Sequence, residues 1–326
     1  MQAPSLFSKD ADATNRLCPV LFESPMSRLR LVVLVSTAML AFAGNSLLCR
    51  MALKHTAIDA ASFTAIRMLS GACMLWLVLR LSRGKAASQP DPTDSADKPL
   101  PGNWLSACAL FVYAAGFSFA YVSMSAATGA LLLFASVQAT MIGYGVWRGE
   151  RLGPLQWAGI ALALAGLVTL MLPGLAAPSP LASVSMISAG AAWGGYSLRG
   201  KSAPNPGLHN PTEVTAGNFL RTVPMALALV LVTSLLMADG LRPDPAGMAY
   251  AVVSGALASG LGYAVWYQAL PALKATHAAT VQLSVPVIAA LGGVLLIGEA
   301  LTGTLVLASV TILGGIALVI GQKKSA

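Results

Sequence analysis

Ten stretches of mainly apolar residues, each closed off by polar, glycine or proline positions, run along the chain at roughly 31–49, 60–80, 103–121, 128–147, 155–172, 181–198, 215–237, 246–269, 277–297 and 301–321. A helix needs about 20 apolar residues to cross a bilayer, so the pattern predicts ten transmembrane helices. Most connections are short. The exception, 82–102 (SRGKAASQPDPTDSADKPLPG), is too rich in Pro, Ser, Asp and Ala to bury apolar surface and is predicted to be a disordered loop. Residues 1–30 are predicted to be an N-terminal tail and 322–326 a short C-terminal one. The first 28 residues hold Asp10, Asp12 and Glu23 without an apolar core, so no cleavable signal is expected there. Residues 1–25 are expected to be a dispensable extension or a mis-called start, with a short basic start at Met26-Ser27-Arg28-Leu29-Arg30.

The ten stretches fall into two copies of one five-helix plan, 31–172 and 181–321. A segment ending in Arg50 and the next carrying Arg67 recur as a segment ending in Arg199 and the next carrying Arg221. The stretch ending at Glu150 (GYGVWRGERL) recurs at Glu299 (GVLLIGEALT), each followed at once by another apolar helix. Five is odd, so the second copy inserts upside down relative to the first. The expected fold is an all-α polytopic membrane protein, ten transmembrane helices in two inverted five-helix repeats, an arrangement from which secondary transporters are built.

Composition agrees. Of 326 residues, 56% are hydrophobic and 10% charged, and the mean hydropathy is +0.72; soluble domains carry about 25% charge. The net charge of +8 is not a nucleic-acid footprint, because the basic residues lie between apolar spans rather than in a stripe. With the N-terminus in the cytoplasm, fifteen of the 20 Lys and Arg residues fall inside and only Arg50, Lys54 and Arg242 outside. The positive-inside rule therefore places both termini in the cytoplasm of an inner or plasma membrane. Small residues four apart (Ala251, Gly255 and Ser259; Ala139 and Gly143; Ala289 and Gly293; Ala317 and Gly321) mark expected close helix contacts.

Together these residues resemble a known family. Gly44-Asn45 and Trp193-Gly194 precede an Arg near the start of the next helix, Arg67 and Arg221. A small-residue helix ending in Gly149-Glu150 or Gly298-Glu299 then leads into AGIALALAGL or LGGIALVIG. The chain resembles the ten-helix drug/metabolite transporter superfamily with two EamA-like repeats. The resemblance implies secondary transport, by export, of small metabolites such as amino acids. Multidrug or nucleoside- and sugar-type carriage on the same fold is the alternative. A lipid-modifying membrane enzyme or a sensor or scaffold would need a polar catalytic cluster or a signalling domain. The partners implied are a small-molecule substrate and the lipid bilayer, with the protein a monomer or homodimer; no nucleic acid, cofactor or metal is expected.

No nucleophile–base set or phosphate loop is evident, and His55, His209 and His277 are scattered. Candidate substrate contacts are the polar and aromatic residues near mid-membrane: Asn45, Tyr113, Gln138, Trp193, Tyr196, Tyr263, Trp266, Tyr267 and Gln282. Tyr263, Trp266 and Tyr267 share a helical face by their i, i+3, i+4 spacing, as a cavity wall or an interfacial belt. Arg67 and Arg221 either capture a substrate carboxylate or clamp backbone carbonyls or an end glutamate, since a charge at that depth must snorkel, pair or meet water. Pro286 interrupts the ninth span and marks a candidate gating helix.

Overall fold

The computed structural model describes residues 26–86, 100–123, 126–171, 179–201, 210–236, 242, 244–297 and 303–321. In chain order the helices are α1 (Arg28–His55), α2 (Ala60–Ala86), α3 (Trp104–Ser123), α4 (Ala126–Trp147), α5 (Pro154–Met171), α6 (Pro180–Lys201) and α7 (Pro211–Leu236). They continue with α8 (Pro245–Ala272), α9 (Ala275–Gln282, resuming as Ser284–Ile297) and α10 (Gly303–Gly321). All ten expected spans are helical over nearly all of their described residues. Two boundaries differ most from expectation. α1 runs on through Arg50 and Lys54 to His55, with Thr56 closing it, because nothing between Cys49 and His55 breaks a helix. The expected loop 82–102 is shorter: residues 82–86 finish α2, and Leu100 and Pro101 are held against α7. Residues 87–99, both chain tails, His209 and the Gly298-Glu299 pair lie outside the described residues.

The helices pack so that exchanging the two repeats leaves the pattern unchanged. α3 packs on α6 as α8 packs on α1, and α4 packs on α6 as α9 packs on α1. α2 packs on α8 as α7 packs on α3, while α2 with α7, α4 with α9 and α5 with α10 pair across the axis. This is the contact signature of a pseudo-two-fold, and with five helices in each copy it makes the repeats inverted.

The outer surface is apolar, including Leu77, Leu231, Leu235, Leu295 and Leu307, as a lipid-facing surface must be. Of the six tryptophans, Trp76, Trp104, Trp147 and Trp157 are exposed, whereas Trp193 and Trp266 are buried. α5 and α10 meet through glycines, Gly159 against the Gly315 carbonyl and Gly315 against the Gly159 carbonyl. Ala139 and Gly143, expected at a close contact, instead face outward, and nothing approaches within 4 Å of where a Gly143 Cβ would stand. Outside the spans, Asp244 caps α8 and ties it to the α1–α2 connection. Its carboxylate accepts from the backbone N–H of Gly247 (2.9 Å) and Ala57 (3.3 Å), bonds that hold its pKa below the usual carboxylate value.

The Gly149-Glu150 pair has a clear local cause. Gly149 stands at φ +89°, a conformation that favours glycine. Its N–H donates to Val146 O, while the Glu150 N–H reaches back to Gly145 O. That is a Schellman ending for α4. It throws the Glu150 carboxylate onto the start of α9 in the other repeat, where it accepts from Ala275 N (3.1 Å), Thr276 N (3.4 Å) and Thr276 Oγ1 (2.9 Å). An anion there satisfies free N–H groups and meets the positive end of the helix dipole. Lys201, ending α6, donates to the Leu273 carbonyl at the same corner. Glu150→Ala should therefore lower stability by about 1–2 kcal/mol, read as a lower Tm in detergent, with Glu150→Gln intermediate. An unchanged Tm in Glu150→Ala would refute the capping role.

Candidate functional site

Polar and aromatic side chains from α1, α2, α3, α4, α6, α8 and α9 converge at the middle of the bundle. Trp193 of α6 is the hub. Its ring lies 5.2 Å from Phe42, 5.0 Å from Tyr113, 6.0 Å from Tyr196 and 4.7 Å from Tyr263, centroid to centroid. Phe42 stands edge-on to Tyr263 and Trp266, and Tyr196 edge-on to Tyr267. Tyr263, Trp266 and Tyr267 are all buried, so they form an internal wall and not a rim at the membrane surface.

Amide groups continue the hub toward α4 and α9. Trp193 Nε1 donates to Gln282 Oε1 at 2.6 Å, and Gln282 Nε2 donates to the Ala278 carbonyl at 3.1 Å and to Met141 Sδ at 3.4 Å. Gln138 Nε2 donates to the Ala279 carbonyl at 2.6 Å, leaving Gln138 Oε1 without a partner. α9 breaks at Leu283, just after Gln282. Pro286 is the cause: it has no N–H for the Gln282 carbonyl, and its ring crowds that oxygen. The break therefore falls next to the residue that binds Trp193.

On the opposite side stands Arg67 of α2, 0% exposed. Its Nε donates to Ser259 Oγ (2.9 Å), and its Nη2 to Tyr263 OH (2.9 Å) and Tyr113 OH (3.4 Å). The guanidinium also lies 5.4 Å from the Tyr113 ring centre and 5.8 Å from that of Phe117. Nη1 has no partner, and no carboxylate among the described residues pairs with Arg67. Ring-face contacts give about 0.5–2 kcal/mol, whereas burying one ion costs several. Such contacts also leave the in-plane N–H groups of Nη1 unmade.

Arg221, the matching residue of the second repeat, behaves differently. Its Nη1 and Nη2 donate to the Leu100 carbonyl (3.4 and 3.3 Å), and Nη1 also to Gly217 O (2.8 Å). Those are the bonds of a clamp, and they stitch the segment before α3 onto α7 together with Asn218, whose Oδ1 accepts from Asn103 N. The shared sequence position thus leads to two environments, and Arg221 stands apart from the aromatic hub.

Several members of the site carry no sequence signal of their own. Ser259, noted in the sequence only as a small packing residue, orients Arg67. Ser254 donates to Asn45 Oδ1 at 2.6 Å. Both lie in a π-helical segment of α8, Ser254–Leu261; such segments are frequent at functional sites. Phe42, Phe117 and Phe219 complete the ring cluster. Among the described residues no group of three or more His, Cys, Asp or Glu could hold a metal.

A bundle of ten helices in inverted repeats, closing on buried aromatic and amide side chains, defines a polytopic helical membrane protein. The chain belongs to the EamA-like transporter family, which matches residues 29–172 and again 181–321. It is 53% identical over 294 residues to a protein of Pseudomonas aeruginosa, PA1977, described as uncharacterized, covering 90% of this chain and 96% of that one. A solved structure described as "Crystal structure of protein" superposes with a TM-score of 0.72 at 19% identity, covering 92% of this chain and all of the other. That likeness is one of fold.

Proposed function

We propose that this membrane transporter carries small metabolites such as amino acids by alternating access, binding them where the two repeats meet. The observation that carries the reading is the exchange-invariant packing around a buried, chemically asymmetric centre. Two copies that can trade conformations open the same centre to one side and then the other. The centre offers rings for an apolar body and a few polar anchors, the usual make-up of a small-molecule site. The broken α9, tied to α4 through Glu150, is the element that gates it. Both termini are assigned to the cytoplasm of the inner or plasma membrane, and the direction to export; the basic-residue bias supports the first and the family resemblance the second.

The test is exchange of radiolabelled metabolites, amino acids first, across liposomes holding the purified protein. Tyr263→Phe removes the hydroxyl that Arg67 donates to, and Gln282→Ala removes the acceptor of Trp193 Nε1. Each leaves a buried donor unmet, worth about 1–3 kcal/mol. Each should slow exchange roughly tenfold or more while the protein still folds and inserts. Exchange at the parent rate in both variants would remove these residues from the site, and no exchange of any metabolite would remove the transporter reading.

A further inference from the structure

We propose that the ligand of this centre is an organic monoanion, its carboxylate accepting from Nη1 of Arg67 and its apolar body lying against Trp193 and Tyr263. The inference rests on the transporter reading above and adds the charge of the substrate.

Three observations support it. Arg67 is fully buried, its hydrogen bonds go to the neutral hydroxyls of Ser259, Tyr113 and Tyr263, and its Nη1 is left over. The charged N–H groups left on Nη1 are strong donors for a carboxylate oxygen. Arg221 shows how the same residue looks as a backbone clamp: both its Nη groups are spent on carbonyl oxygens. Finally, the buried polar residues among those described are Asn, Gln, Ser, Thr and Arg67, with no Asp or Glu. A cationic ligand would meet a like charge and find no carboxylate, while an anion cancels the charge already there. One free nitrogen fits one carboxylate and leaves a doubly charged phosphate short of donors. A ligand ammonium is thus tolerated, for example near the unpartnered Gln138 Oε1, but it is not what the site requires.

A matched ligand series on the full-length protein in detergent tests this. Hydrocinnamate, hydrocinnamide and phenethylamine share one ring and chain and differ only in charge; phenylalanine adds an ammonium to the acid. Hydrocinnamate and phenylalanine should raise Tm saturably, since a ligand of the folded state stabilises it by mass action. The amide and the amine should not do so at equal concentration. Arg67→Gln should weaken hydrocinnamate about 100-fold, the scale for losing one partner of a buried charged pair, and Arg67→Lys should restore part of it. Stabilisation by the amide or amine equal to that by the acid overturns the proposal, as does a hydrocinnamate response that is absent or unaltered in Arg67→Gln. Should Arg67→Gln fail to fold, the ligand series on the unaltered protein decides alone. Metabolite exchange in liposomes that ignores these carboxylates would sink the anion site and leave the transporter standing.

Discussion

Trp193→Ala should destabilise the protein by about 3–5 kcal/mol, the cost of truncating a large buried ring, and abolish exchange. Four aromatic rings lie within 6.0 Å of it, centroid to centroid, so its removal leaves a void shared by α1, α3, α6 and α8. In lipid the loss is mainly of packing, because dispersion contacts and not water exclusion hold such helices together. Gln282 also loses the N–H that its Oε1 accepts from. Trp193→Phe separates the two effects: it keeps most ring contacts and should cost about 1–2 kcal/mol less than Trp193→Ala, while Gln282 stays unpaired. Thermal unfolding in detergent reads both. A Tm for Trp193→Ala equal to that of the parent would mean that the ring cluster does not hold the repeats together.

Gly255→Val should be as damaging for the opposite reason. A Cβ on Gly255 would overlap Ser70 Oγ and the backbone carbonyl of Arg67 itself, and a carbonyl fixed in a helix cannot move aside. Overpacking of this kind costs about 3 kcal/mol, here by prising α8 off α2 at the point where Ser259 and Tyr263 orient the Arg67 fork. Lower Tm and lost exchange should therefore appear together. Gly44→Ala is the control: nothing stands within 4 Å of its Cβ position, so it should be neutral or stabilising by about 0.5–1 kcal/mol. Equal damage from both substitutions would show that close approach does not distinguish these glycines.

Much of this was legible in the residues themselves. The ten spans follow from apolar length, and the repeats from Arg67 with Arg221 and from Gly149-Glu150 with its later counterpart. Polar and aromatic side chains inside apolar spans have few reasons to be there, which is why Asn45, Tyr113, Gln138, Trp193, Tyr263 and Gln282 could be singled out; the structure gathers the last five about one centre and pairs Asn45 with Ser254. The divergence of the two arginines was not legible. Whether a guanidinium meets carbonyls or hydroxyls depends on what packs against it: the segment at Leu100 for Arg221, and α8 for Arg67. Ser254, Ser259 and Phe42 were passed over because their residue types are ordinary in a membrane helix. Only the rotation of α1 and α8 turns them inward.

That rotation depends on the irregular stretch of α8, where the Gly262 N–H reaches back to Leu257 O in place of the usual fourth carbonyl. Each residue of an α-helix advances the chain by about 100°, so the wider turns hold everything downstream at a different angular phase from everything upstream. Restoring the regular ladder between Ser254 and Leu261 with the residue count unchanged would leave α8 buried and continuous at its start. Beyond that point it would swing Tyr263, Trp266 and Tyr267 about 100° around the axis, off Trp193 and Arg67 and toward the lipid. The segment thus works as a dial: a switch between wide and regular turns becomes a change in which side chains face the centre.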